Sequence, residues 1–164
     1  MSAEELMDRE EEFVQRLVAD FPEVRFAKNR QRFSYRWQND VPTVFLGEPQ
    51  PKYALLTLHE LGHALCKHKD YKVDVQRIKI ECEAWERAKT VFLEYRDKAY
   101  AEDGVVKDEA LAWILPEWDE DFVQEKLDTY RDWLHTKSRC KKCGLTGYQT
   151  EDGKYHCPRC EAFL

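Results

Sequence analysis

Along the first twenty residues the apolar positions Leu6, Phe13, Val14, Leu17 and Phe21 recur at helical spacing between charged ones. This predicts an amphipathic helix over 2–20, opened by a Ser2/Glu5 capping box and closed by Pro22. The period then changes to two. Phe33, Tyr35 and Trp37 alternate with Arg32, Ser34 and Arg36, so 24–46 reads as β structure. Asn39-Asp40 marks its turn, 43–46 its second strand, and Pro49 and Pro51 bracket the loop that follows. Helical patterning returns over 53–67 and from 74 to about 100, where Glu102-Asp-Gly104 breaks it. Asp108 caps a short helix that Pro116 stops after Leu115, and Asp119 caps a helix over 120–135 with Val123, Leu127, Tyr130 and Leu134 on one face. There is no internal repeat and no low-complexity tract.

Two pairs of cysteines then change the picture. Cys140/Cys143 and Cys157/Cys160 stand thirteen residues apart, around a hairpin with Asp152-Gly153 at its tip. Four thiolates at this spacing specify a closed tetrahedral zinc site, with a rubredoxin-like iron site as the rival. So small a module has no adequate core, and metal binding must supply its folding energy. The expected organisation is a domain over 1–136 and a zinc ribbon over 137–164. Cys66 and Cys82 fall on helix faces expected to be buried, which reads as small core thiols.

The helix over 53–67 carries His59-Glu-Leu-Gly-His63. Histidines four apart lie one turn along a single helix face, so both rings can reach one cation. Glu60 sits close enough to act on a water held there. The rest of this helix is apolar (Leu55, Leu56, Leu58, Leu61, Ala64, Leu65), and Gly62 lets a neighbouring element approach. A third protein ligand is needed. On the wheel of the next helix, Glu81 falls about −60° from Ile78, inside the stripe of Trp85, Phe92 and Ala99, while Glu83 and Glu86 fall outside it. A carboxylate facing a core requires a metal, an arginine or a shared proton. Glu81 is therefore the candidate third ligand, with a buried ion pair as the other reading. His68 points elsewhere on the same helix.

With these residues stated, His59-Glu-Leu-Gly-His63 followed by Glu81-Cys-Glu-Ala-Trp85 resembles the zincin metallopeptidases with a glutamate ligand, and within them the ImmA/IrrE-type family. The likeness covers about residues 30–95. It implies His59, His63 and Glu81 as ligands of a catalytic zinc, Glu60 as catalytic acid/base, and an intracellular protein substrate such as a transcriptional repressor. Related enzymes place an aspartate four residues after the glutamate ligand to orient a histidine. Here that position is Trp85. The order of a catalytic domain and then a ribbon is instead similar to the SprT-like proteases, whose third ligand is usually a histidine soon after the motif.

The fold class implied is α+β: a mostly helical zincin-like domain with a small sheet, followed by the ribbon. The function implied is zinc-dependent endopeptidase, with one catalytic and one structural zinc. The alternatives are a SprT-like protease acting on DNA-bound proteins, and a non-catalytic binding module with a structural zincin core. Tyr35, Tyr53, Tyr71 and His68 are candidate oxyanion donors. Thr43, Val44, Phe45 and Leu46, just before the active helix, are the candidate strand for pairing with an extended substrate.

Charge bears on partners. The chain of 164 residues has net charge −6, which excludes a uniformly basic nucleic-acid coat. The charge is +3 over 137–164 and −9 over the remainder. Arg25, Lys28, Arg30, Arg32 and Arg36 form a second basic stretch without an intervening acid. Either region is a candidate nucleic-acid contact, with Tyr148 and Tyr155 as stacking platforms in the ribbon. Four thiolates on Zn²⁺ add −2 to the ribbon and weaken that footprint, so protein docking and a purely structural role stand beside it. No apolar stretch is long enough to span a membrane. The acidic start, Met1-Ser-Ala-Glu-Glu, is unlike a signal peptide, and a cytoplasmic location is expected.

Overall fold

A computed structural model describes residues 3–29 and 32–161, with side chains from Met7 onward. The fold is α+β. Its elements run α1 (Ala3–Asp20), β1 (Arg25–Lys28), β2 (Ser34–Gln38), β3 (Val41–Leu46), α2 (Tyr53–Leu65), α3 (Asp74–Ala99), α4 (Glu109–Ile114), α5 (Glu120–Ser138), β4 (Tyr148–Gln149) and β5 (Tyr155–His156). The Ser2/Glu5 capping box and Arg30 lie outside the described residues, as does the side chain of Leu6. Among the described residues no helix is long and apolar enough to cross a membrane.

The chain forms two compact units, Met1–Lys69 with Glu83–Trp118, and Asp70–Cys82 with Asp119–Leu164. α3 contributes residues to both units.

The first unit is built on a mixed sheet of order β1-β3-β2. Asn39 and Asp40 both take positive φ, 50° and 60°, between Gln38 and Val41, which pair across the turn. That is the backbone of a two-residue type I′ hairpin, and Asn and Asp are among the residues that tolerate it. β3 is also parallel to β1, from Arg25↔Thr43 to Lys28↔Leu46. It is therefore the central strand, hydrogen-bonded on both sides. The expectation that Thr43, Val44, Phe45 and Leu46 accept a substrate strand is overturned: they have no free edge. The sheet edges are β1 and β2.

The core of this unit joins Phe13 and Leu17 of α1, Val44 of β3, Leu58 and Leu61 of α2, and Ala84, Ala88, Val91 and Phe92 of α3, all buried. Phe13 meets the Tyr95 ring edge-on at 6.1 Å. The Tyr95 hydroxyl donates to Asp20 at 2.6 Å, and Lys98 pairs with the same carboxylate. Asp108 accepts from the N–H of Leu111 as the cap of α4 and also pairs with Arg16.

Glu10 of α1 is only 5% exposed, and burial pushes its carboxyl from 4.5 up to about 7. Between those values the folded chain holds a proton that the unfolded chain has lost. Stability therefore falls as pH rises through this window, and the deficit is complete above about 7. At 1.36 kcal/mol per pH unit it is on the order of 1–3 kcal/mol after allowance for partial hydration. Glu10→Gln is expected to raise the urea midpoint at pH 8 and to leave it unchanged near pH 4.5.

In the second unit, α5 begins at the Asp119 cap, whose side chain accepts from the N–H of Phe122, and buries Val123 and Leu127. The C-terminal hairpin pairs Tyr148 with His156 and Gln149 with Tyr155, and Gly153 at its tip has φ +83°. The hairpin is tied to the first residue of α3. Gln149 accepts from the Asp74 N–H at 2.6 Å, the Tyr155 hydroxyl donates to the Asp74 carboxylate at 2.8 Å, and Lys137 pairs with it at 2.6 Å. Burial alone would raise the Asp74 pKa, but Lys137 and Tyr155 outweigh it and hold the carboxyl below its usual range.

Candidate metal centres

α2 presents His59 and His63 on one face, both buried, with their Nε2 atoms 3.2 Å apart. Glu81 of α3 is likewise buried, 7% exposed. One ligand atom from each of His59, His63 and Glu81 lies within 4.8 Å of the others. Two imidazoles and a carboxylate converging in this way can hold a divalent ion and leave a coordination position open. Glu60, next to His59, is half-buried.

The crossing of α2 and α3 explains Gly62. A Cβ at that position would stand 2.2 Å from the Ala84 carbonyl oxygen and 3.2 Å from its Cα. The glycine is therefore what lets the α3 backbone reach α2, three residues beyond Glu81. The Trp85 ring stacks on His59, centroids 4.2 Å apart.

A partner for His63 comes from the turn after α2. Sequence reading extends α2 to Lys67, with His68 pointing away. Instead α2 ends at Leu65, and Lys67 takes the left-handed conformation, φ 54°. Its N–H bonds to the Ala64 carbonyl, and the His68 N–H bonds to the His63 carbonyl at 3.1 Å. These two bonds are a Schellman motif. The turn folds His68 back so that its Nδ1 is 2.9 Å from His63 Nδ1. His68 Nε2 is in turn 3.2 Å from a Glu83 carboxylate oxygen. The line Glu83–His68–His63 thus orients a candidate ligand from behind. The sequence contained no glycine to mark the turn, so neither His68 nor Glu83 was identifiable in this role. His68→Ala is expected to weaken metal binding at His59/His63/Glu81 by about 10–100-fold, the usual effect of removing a ligand's hydrogen-bond partner. Competition with a chromophoric chelator would measure it.

β2 holds the same turn. The Tyr35 hydroxyl and the Trp37 indole N–H both donate to the His68 carbonyl, at 3.0 and 2.8 Å, and the Tyr35 ring stacks on His63 at 5.8 Å. Burial, and then the nearby Cys66, push the Tyr35 phenol up to about 12, so it stays a donor at neutral pH. Tyr53 stands at the start of α2, and Tyr71 accepts a weak hydrogen bond from Arg77 at 3.5 Å. Of the four candidate oxyanion donors, only Tyr35 and His68 contact a candidate ligand in the first unit. Cys66 is exposed and Cys82 half-buried, which corrects the expectation of buried helix thiols. For Cys66 the reason is that the helix stops before it.

The second centre is Cys140, Cys143, Cys157 and Cys160, whose sulfurs also lie within 4.8 Å of one another. The two halves repeat one geometry. Gly144 takes φ 75° and its N–H bonds to the Cys140 carbonyl at 2.8 Å. Glu161 takes φ 51° and its N–H bonds to the Cys157 carbonyl at 2.9 Å. The N–H groups of Cys143 and Lys142 pull the Cys140 thiol down to about 6, while its sulfur neighbours, Cys143 first, push Cys160 up to about 12. Ionising all four sulfurs calls for a cation among them.

Of the ribbon's basic and aromatic residues, Lys137, Arg139, Lys141, Lys142, Lys154, Arg159 and Tyr148 are exposed. Tyr155 is buried, 6% exposed, with its hydroxyl on Asp74, so it is not a stacking platform. In the first unit Arg25, Lys28, Arg32 and Arg36 are exposed. Lys28 pairs with Glu11 at 2.8 Å, and Arg36 lies over the Phe45 ring at 4.8 Å.

Comparisons with protein-family models, with curated proteins and with solved structures gave no match to this chain. The class of protein therefore rests on the two metal-ligand constellations themselves.

Proposed function

We propose that the chain is a zinc-dependent endopeptidase of the zincin class, ImmA/IrrE-like in its glutamate ligand, acting on a protein substrate. The observation that carries this reading is the convergence of buried His59, His63 and Glu81 within 4.8 Å, with Glu60 adjoining on the same helix. Imidazole and carboxylate donors suit zinc, and His59, His63 and Glu81 would hold it. Bound zinc supplies a water of lowered pKa and polarises a carbonyl. Glu60 takes a proton from the attacking water and delivers it to the leaving amine. The β2 edge beside His63 supplies backbone groups for pairing with an extended substrate, while the Tyr35 hydroxyl holds the His68 carbonyl. The four cysteines hold a second, structural zinc. The exposed Lys141, Lys142, Arg159 and Tyr148 make the ribbon a docking module for nucleic acid or protein.

Glu60→Gln is expected to reduce casein hydrolysis by the zinc-loaded protein by about 10²–10⁴-fold, the range for a positioned acid/base, with two zinc ions per chain retained. Equal activity in Glu60→Gln, or an inactive wild type with both sites filled, would overturn the enzymatic reading and favour a binding module. The ribbon's place after the metallopeptidase helix favours a second reading, a SprT-like protease on DNA-bound proteins. That reading requires hydrolysis to accelerate when DNA is added.

A further inference from the structure

The first unit contains a cavity of about 460 Å³ whose lining includes none of the candidate metal ligands. Its walls come from α1, the 49–53 loop, the start of α2, α3 and α4, and they include Tyr53, Phe92, Trp113, Leu115 and Pro116. Glu10 also lines it. As a residue Glu10 is only 5% exposed, and burial alone shifts its carboxyl, with no hydrogen-bond donor contributing. Lys52 and Glu117 are the other charged lining groups, and both are exposed. The Tyr53 phenol, raised to about 12 by burial and then by Glu10 and Glu11, remains neutral.

A buried carboxylate without a partner is costly to keep. The chain keeps one in the wall of a cavity whose volume lies in the range of small-molecule sites. An anionic occupant would be repelled, and a purely apolar one would leave the carboxylate desolvated and still unpaired. A cationic occupant resolves both problems. It donates to the carboxylate, and aromatic side chains attract its charge as well as its apolar part. We propose that this cavity binds a small organic ammonium ion with an aryl or alkyl substituent, its nitrogen on Glu10 and its apolar part among Tyr53, Phe92 and Trp113. The site is independent of the peptidase reading and survives its failure.

Calorimetric titration of the full chain at pH 8 with benzylammonium, and separately with neutral benzyl alcohol, tests the proposal. Benzylammonium is expected to bind at least about tenfold more tightly, the ratio for one charge-assisted hydrogen bond. Glu10→Gln is expected to remove that preference while benzyl alcohol binding persists. Equal binding of the two probes to wild type overturns the proposal without recourse to any variant. So does a preference that persists in Glu10→Gln, or no binding of benzylammonium at tens of millimolar.

Discussion

Replacing Gly62 with alanine is expected to abolish metal binding at His59, His63 and Glu81 while the four-cysteine site keeps its ion. The added methyl would meet the Ala84 carbonyl oxygen at 2.2 Å, against the 3.4 Å at which ordinary contact begins. The obstruction is backbone, so no side chain can turn aside, and α2 and α3 must part by about 1 Å. Alanine's helix preference returns about 1 kcal/mol, and overpacking costs about 1–3 kcal/mol, so the chain still folds. The ligand set is less tolerant. Metal–ligand distances hold within about 0.2 Å, and Glu81 moves with Ala84 because both ride on one helix. An affinity loss of at least about 100-fold follows, by analogy with the cost of a 1 Å misplacement at a reacting centre. Elemental analysis should find one ion per chain instead of two, with helical circular dichroism unchanged. Two ions per chain in the alanine variant would show that the helix crossing does not set the site.

The same crossing shows what was legible in the sequence. His59, His63 and Glu81 were readable because an amphipathic helix has a fixed angular step, and a histidine pair or a carboxylate on the wrong face stands out against it. The cysteine pairs were readable because each knuckle closes locally. Gly62 was interpretable as a point of approach because its cost within a helix calls for a reason. What was not readable depended on departures from periodicity. Lys67 adopts a backbone that sequence rules assign to glycine, and this hid the turn that carries His68 onto His63. The role of β3 was misjudged for a different reason. The hairpin of β2 and β3 is local and was foreseen in outline, whereas the parallel pairing of β3 with β1 brings together residues eighteen apart with no local signal. The burial of Tyr155 was invisible for the same reason, because its partner Asp74 lies 81 residues away.

Withdrawing metal from the four-cysteine site, by Cys140→Ser with Cys143→Ser, is expected to unfold the residues from about 139 to 161. Between these positions only Cys140, Tyr155 and Cys157 are buried, so two of the three buried groups are themselves candidate ligands. One tyrosine cannot offset the ordering of some twenty residues at about 1–2 kcal/mol each. The apparent binding energy of a structural zinc, about 10–16 kcal/mol in small modules, is the largest single contribution available to offset that cost. Unfolding would also release Gln149 and Tyr155 from Asp74, leaving the first turn of α3 without these contacts. Glu81 lies nearly two turns further along the helix, so the histidine site should keep its ion. Hydrogen exchange should therefore lose protection over the hairpin and at Asp74, and retain it from Ala84 to Tyr95. Protection of the hairpin that persisted in the double variant would mean that Lys137 and Tyr155 on Asp74 suffice to fold it without metal.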